Sequence, residues 1–444
     1  MLQTIINAFK VKEIRRKVYM MLLLLLIFRI GCFIPVPGLD RESFSQLFSG
    51  DNVNDFLALM SGVTGGALSQ GTLFALGIGP YINASIIMQL LGVGIPALER
   101  LSKQGEEGRK KITQYTRYLT IALAMIQSIG IIISFASSPE VNALDMQFFG
   151  ESKFLTGAFM TIMYTAGALI VMWLGERITD YGVGNGQSMI IFVGIISTAG
   201  STILDKITQF GTDDAGTKAI ISVFGFILVA IVIFFAIIYV DLSERRVPVQ
   251  YAKQIKGRKM YGGQSSNIPI RIAGSGVMPL IFSFSILSFP QLIASMIKNG
   301  DNGFARWWAE WMSGSSNNSW GVFIYSLVLC VLIFAFSFFY AQMQFNPEDV
   351  SKSIQQNGGF IQGIRPGKAT ENYLKKISNR ITLFGAIYLS LIAFIPSAIF
   401  SFVSLDLVNV FSTTGILIVV SCAMEFEKQL QAQLMMKNYK GFLK

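Results

Sequence analysis

The chain has 444 residues, of which 52% are hydrophobic and 14% charged, and it carries a formal net charge of +10. That balance excludes an ordinary soluble domain, in which about a quarter of the residues are charged. With no histidine in the sequence, His-based metal centres, serine–histidine triads and histidine proton relays are excluded too.

Apolar stretches of span length centre on residues 18–36, 72–96, 118–136, 155–174, 187–204, 219–240, 277–297, 321–340, 381–400 and 403–423. Each approaches the ~20 residues a helix needs to cross ~30 Å of hydrocarbon. Taken alternately, the intervening segments divide the cations unevenly. One set, with the N-terminus, 97–117, 175–186, 241–271, 341–380 and the C-terminal tail, holds 29 of the 36 Lys and Arg. The other holds Arg41, Lys153, Lys206, Lys218, Lys298 and Arg306, and Arg29 lies inside the first span. Cationic loops stay on the cytoplasmic side, which predicts cytoplasmic termini and a basic face able to attract anionic lipids.

In the first stretch, Phe28-Arg29-Ile30-Gly31 interrupts the apolar run and no small-residue cleavage site follows, so it reads as a retained span. Residues 56–71 are too short and Gly-rich to cross, and too apolar for an open loop. They fit a half-helix dipping back from the outer side, or an interfacial loop. Ten spans divide into five and five, which predicts an all-α membrane protein of two inverted halves, residues 1–205 and 206–444. Gly77-Ile78-Gly79-Pro80 in the second span and Gly274-Ser275-Gly276-Val277-Met278-Pro279 in the seventh interrupt corresponding helices, the pattern that marks a pathway in transport proteins.

The cytoplasmic segment 241–271 reads as a hairpin: an extended arm from Val247, a basic tip at Lys256-Gly257-Arg258-Lys259, and a return strand. Segment 341–380 has turn chemistry around Gly363-Ile364-Arg365-Pro366-Gly367-Lys368. Both are longer than a helix connection needs, which points to docking. Cys32, Cys330 and Cys422 lie in apolar runs without metal-ligand spacing and read as small core residues. Spans nearly free of carboxylates weigh against an ion-coupled secondary transporter, the rival reading.

Several of these stretches together resemble the SecY family of bacterial protein-translocation channels. They are Phe28-Arg29-Ile30-Gly31 with Ile34-Pro35-Val36-Pro37-Gly38, Phe74 to Ile82, Gln114 to Tyr118, Gln127 to Gly130, Trp173 to Glu176, Gly184-Asn185-Gly186, Tyr251 to Gln254, Phe345-Asn346-Pro347 and Gly363 to Gly367, in family order along the chain. The resemblance implies a clamshell around a central hourglass pore in the bacterial plasma membrane. Such a channel passes unfolded, signal-peptide-bearing chains outward, releases membrane helices sideways into lipid, and has no enzymatic activity and no cofactor. Its implied partners are SecE, SecG, the SecA ATPase and the ribosome.

Carried over by motif, the resemblance implies a pore ring of Ile78, Ile82, Gln187, Ile191, Met278 and Ile418. It implies a plug within residues 56–71 that includes Met60, Ser61, Gly62, Gly65 and Gly66, and a lateral gate at Asn83, Gln127 and Ser275 closed by a few interhelical hydrogen bonds. Docking of SecA or the ribosome falls to Arg245, Arg246, Lys256, Arg258, Lys259, Arg365 and Lys368. An aliphatic ring offers ions no ligands and can seal by dewetting. Gln187 departs from the family's usual aliphatic, Met278 from its usual isoleucine, and Ala273 stands where many relatives have asparagine.

Overall fold

The computed structural model describes residues 6, 8–39, 61, 62, 64–136, 153–209, 231, 232, 234–251, 254–256, 259–261, 265–272, 276, 278–296, 303, 307, 308, 311, 312, 319–403 and 413–441. Two compact units result, each drawn from separate stretches of chain: Met1–Phe226 with Ser285–Tyr325 and Leu405–Lys444, and Ile227–Phe284 with Ser326–Ser404.

In the first unit, helix α1 (Lys12–Gly31) buries Ile14, Val18, Met21, Leu24, Leu25 and Phe28, one stripe at helical spacing. Its other face is no more polar: Leu22, Leu23, Leu26 and Ile27 are exposed. A helix apolar all round suits a lipid surround. The second apolar stretch differs from the sequence reading, because residues 73–78 form turns and helix α2 runs only from Gly79 to Gly94. Gly77 holds a left-handed φ of 54°, and Pro80, without an N–H, sits in the first turn of the helix. Segment 97–117 is largely helical rather than a loop: Pro96 opens the short α3 (Pro96–Ser102) at a bend of 105° to α2, and the long α4 (Glu106–Ala136) follows. Helices α5 (Lys153–Tyr181), α6 (Gly186–Gln209) and α11 (Thr413–Gly441) complete this unit's long helices among the described residues, with α4 packed on α2 and α5, and α6 packed on α11. Leu68, Leu76, Ala124, Ile131, Met160 and Tyr164 share one buried cluster.

The second unit carries what the sequence suggested as two separate cytoplasmic loops, and they fold together. Strands β1 (Glu244–Tyr251) and β4 (Ser265–Arg271) pair antiparallel, from Glu244 opposite Arg271 to Gln250 opposite Ser265. Beyond them β2 (Gln254–Lys256) pairs with β3 (Lys259–Tyr261), as the hairpin reading expects. Strand β5 (Gly359–Phe360), from the other segment, adds to the free edge of β1 at Gln250 and Tyr251. Helix α9 (Pro347–Gln356) and the start of α10 (Lys368–Val403) cover this sheet, so much of segment 341–380 is helical. Val247, Val249, Ile270, Ile354, Ile361 and Leu374 form the module's own buried core. Helices α7 (Met278–Met296) and α8 (Ser319–Gln344) each run from one unit into the other. In the second unit α8 is tied to α10 by a reciprocal pair: the Cys330 thiol donates to the Ser390 carbonyl at 3.6 Å, and the Ser390 hydroxyl donates to the Cys330 carbonyl at 3.3 Å.

Four helical stretches among the described residues are long and apolar enough to cross a membrane: Glu106–Ile133, Phe154–Tyr181, Phe323–Gln356 and Lys368–Phe394; the bent pair α2–α3 makes a fifth if counted as one span. Within the apolar helices, most hydroxyls bond back to their own chain. Thr116, Thr120, Thr161, Thr165, Thr179, Ser283 and Ser337 each donate to the carbonyl four residues earlier, at 2.7–3.0 Å. Ser128 and Thr165 make a hydroxyl contact across α4 and α5 at 3.5 Å.

Candidate functional site

The loop after α1 is built on backbone geometry that only glycine adopts without strain. Gly65 and Gly66 both have left-handed φ, 71° and 82°. The Gly66 N–H donates to the Ser61 carbonyl at 2.8 Å, and the Thr64 hydroxyl donates to the same oxygen at 3.2 Å. Past Gly66 the chain enters the core: Ala67 and Leu68 are fully buried. Before Gly66 the surrounding spans hold it by its carbonyls. The Arg29 guanidinium donates to the Gly65 carbonyl at 3.4 Å, the Cys32 thiol faces the Thr64 carbonyl at 3.9 Å, and the Thr198 hydroxyl of α6 donates to the Gly62 carbonyl at 3.1 Å. A Cβ at Gly65 would collide with the Arg29 guanidinium, and one at Gly77 would come 2.7 Å from the Thr64 methyl. The loop therefore lies against the chain one residue before Ile78. Met60 lies outside the described residues.

Among the residues expected in the ring, Ile78, Ile191 and Ile418 are buried and Ile82 and Gln187 half-buried. Ile78 and Gln187 come together over Gly175 of α5, where an added Cβ would lie 3.2 Å from Ile78 Cδ1 and 3.6 Å from Gln187 Cγ. The Gln187 side chain is also within reach of the Tyr81 hydroxyl. Ile418 is on α11, which packs on α6, the helix of Gln187 and Ile191. Met278 opens α7 in the second unit.

Asn83 on α2 and Gln127 on α4 are both buried, at 8% and 4% exposure, and neither Asn83 Oδ1 nor Gln127 Oε1 has a hydrogen-bond partner. Sequence reasoning expected hydrogen bonds closing a seam there. Among the described residues these two acceptor oxygens are unpaired, a costly arrangement in an apolar surround. Ser275 lies outside the described residues.

On the module of β1–β5, α9 and the start of α10, Arg365 and Lys368 are exposed. Gly363 and Gly367 flank the tip with left-handed φ of 81° and 98°. Sequence reasoning missed how firmly the tip is held. The buried Thr370 hydroxyl donates to the Arg365 carbonyl and the buried Ser351 hydroxyl to the Gly367 carbonyl, each at 2.9 Å. Arg245 and Arg246 are exposed on β1, and Arg246 Nε pairs with Glu244 at 2.7 Å. The β2–β3 register sets Lys256 opposite Lys259, two cations in one rung, and Arg258 lies outside the described residues. A further basic feature was not singled out from the sequence. Arg109, Lys110, Thr113, Gln114, Arg117 and Tyr118 line an open groove of ≈ 470 Å³ on the first turns of α4. There Arg117 is held by a two-pronged pair to Glu176 of α5 at 2.9 and 2.7 Å.

Among the described residues no cluster of acidic residues and cysteines is able to hold a metal ion. A family model for SecY matches residues 72–427. The chain is 41% identical to a protein translocase subunit SecY of Streptomyces galbus over the full length of both. The chain belongs to the SecY family. It is accordingly a multi-pass membrane protein that serves as a protein-translocation channel, not an enzyme, and the ion-coupled transporter reading is not favoured. Two solved structures share the SecY fold. One, a SecY channel whose plug domain stabilises the closed state and maintains a membrane seal, is 21% identical with a TM-score of 0.64, covering 95% of this chain and 93% of that one. The other is a Sec61 channel from a canine ribosome–channel complex, 19% identical with a TM-score of 0.61 over the same shares.

Proposed function

We propose that this SecY-family chain sits in the bacterial plasma membrane with both termini cytoplasmic and works there with SecE, SecG, the SecA ATPase and the ribosome. Unfolded secretory chains pass outward through a ring of Ile78, Ile82, Gln187, Ile191, Met278 and Ile418, and membrane helices leave sideways past Asn83, Gln127 and Ser275. The halves on either side of the path are residues 1–205 and 206–444. The plug lies within residues 56–71, and its part up to Gly66 is the part that moves.

The observation that carries this reading is the loop at 61–66, seated through its carbonyls beside the start of α2 while the next two residues are locked in the core. A segment hinged on two left-handed glycines can leave without unpacking Leu68. The ring makes few directional bonds, so it can flex around any polypeptide. The unpaired amides at Asn83 and Gln127 favour opening, because a polar or hydrated path gives each an acceptor's partner that the closed packing withholds. The basic face and the groove at Arg109 and Lys110 suit anionic lipid headgroups.

Arg365 is assigned the motor contact. A guanidinium presents a forked, permanently charged donor set, and here it stands on a tip whose carbonyls are tied down. The test is reconstitution with SecE and SecA, scored by protease-protected preprotein. The parent chain should translocate, and Arg365→Glu should lose ATP-driven translocation while still assembling with SecE. Undiminished translocation by that variant would remove the tip from the motor contact.

A further inference from the structure

Arg29 is a cation within an apolar helix, and among the described residues no carboxylate pairs with it. Its recorded partners are the Gly65 carbonyl at 3.4 Å and the face of Phe33, 5.5 Å from the ring centre. Such a charge is costly in a membrane and ordinarily marks a function. We infer that Arg29 is the latch of the closed channel: it holds the plug shut through the main chain, not through any plug side chain. The inference rests on the reading of residues up to Gly66 as the moving part of the plug.

Three observations carry it. Three groups that reach the loop, the Arg29 guanidinium of α1, the Cys32 thiol just after it and the Thr198 hydroxyl of α6, meet main-chain oxygens, those of Gly65, Thr64 and Gly62. The Thr64 side chain is turned inward on the loop, to the Ser61 carbonyl. And Gly65 has no room for a side chain, because a Cβ would take the place of the guanidinium. The latch is thus indifferent to what the plug's side chains are and sensitive to where its backbone lies.

Its two hydrogen-bonding arms are unequal. The Thr198 hydroxyl has an alternative acceptor in the Gly194 carbonyl of its own helix, at 3.2 Å. When the plug leaves, Thr198 exchanges one acceptor for another and loses little. Among the described residues Arg29 has no second acceptor, and its other contact is the face of Phe33. The closed state is therefore stabilised mainly by Arg29, by the surplus a charge-assisted hydrogen bond has over a neutral one.

The experiment is single-channel conductance of the assembled complex in planar bilayers, with Arg29→Met, Thr198→Val and deletion of residues 60–66, alone and combined. Arg29→Met should raise the resting open fraction about tenfold, the change one charge-assisted hydrogen bond sustains. Thr198→Val should raise it much less, and Arg29→Met should add nothing once residues 60–66 are gone. If Arg29→Met does not assemble with its partner subunits, Arg29→Lys, which keeps the charge and loses the fork, should show the same direction. A leak from the deletion with none from Arg29→Met would overturn the latch and leave the plug standing. An equal added leak from Arg29→Met in both backgrounds would make Arg29 part of the wall instead. No leak from the deletion would remove the plug reading, and the latch with it.

Discussion

Gln187 brings an amide into a set of otherwise aliphatic and thioether side chains, and its neighbourhood explains how the fold tolerates it. Its Cγ lies near Gly175 beside Ile78, and the Tyr81 hydroxyl is within reach. An amide still gives water a partner that isoleucine would deny, so a ring containing it seals less well without its plug. Deletion of residues 60–66 should therefore leak more in the parent chain than in a Gln187→Ile background, measured as conductance in planar bilayers; equal leaks would place Gln187 outside the ring. The boundary of that deletion matters. Removing Ala67 and Leu68 as well would excavate the core around Tyr164 and confuse an open channel with an unfolded one. Gly65→Ala should imitate loss of the latch, because the new methyl displaces the guanidinium and φ of 71° strains any L side chain. The check is an increased resting leak with unchanged yield of the assembled complex.

Among the elements, the module of β1–β5, α9 and the start of α10 was the least legible from sequence. The long strands β1 and β4 and the hairpin at their end could be read, since an extended arm from Val247 and a return strand flank a basic tip in the sequence. The addition of β5 could not. It is two residues long, more than a hundred positions from its partner, and announced only by Gly358-Gly359, which reads equally as a turn. Treating the two segments as independent arms followed from that omission. The start of α2 was misplaced for a different reason: hydropathy does not distinguish a turn from a helix when both are apolar, and only the backbone shows that Gly77 is left-handed. Because one core serves both segments, damage to either should disturb both. Leu374→Ala, at a fully buried position, should cost about 2–5 kcal/mol within the module. It should raise hydrogen exchange in β1 as well as around Arg365 and at the start of α10, with the other long helices unaffected. Increased exchange confined to α10 would show that the sheet and the helix are not one unit.

At the scale of the whole molecule, the sequence's strongest statement was electrostatic, and it concerns orientation. Cysteines placed at Gly105 and Gly358 should be protected from an impermeant thiol reagent applied outside intact cells, and cysteines at Ser49 and Ser138 should react. The native background is favourable, since Cys32 and Cys422 are buried and Cys330 is partly so. Labelling at Gly358 from outside would reverse the orientation. The same charge asymmetry makes a kinetic prediction. If ribosome contact is made through the Lys256–Lys259 rung and its neighbours, affinity should fall steeply as salt rises, because each phosphate contact releases counterions. Replacing both lysines with glutamine should flatten that slope, and an unchanged slope would place the contact elsewhere.

The hydroxyls of the apolar helices have a mechanical consequence. Thr116, Thr120, Thr161, Thr165 and their counterparts each tie a polar hydrogen along the helix that carries it, not to the helix alongside. Neighbouring walls then meet mostly through dispersion contacts, which resist shear weakly and reform at once after a shift. Polarity spent inward leaves such walls slippery, like dry bearings, and a conduit whose cargo changes girth with every residue can widen and narrow by sliding with few hydrogen bonds having to break.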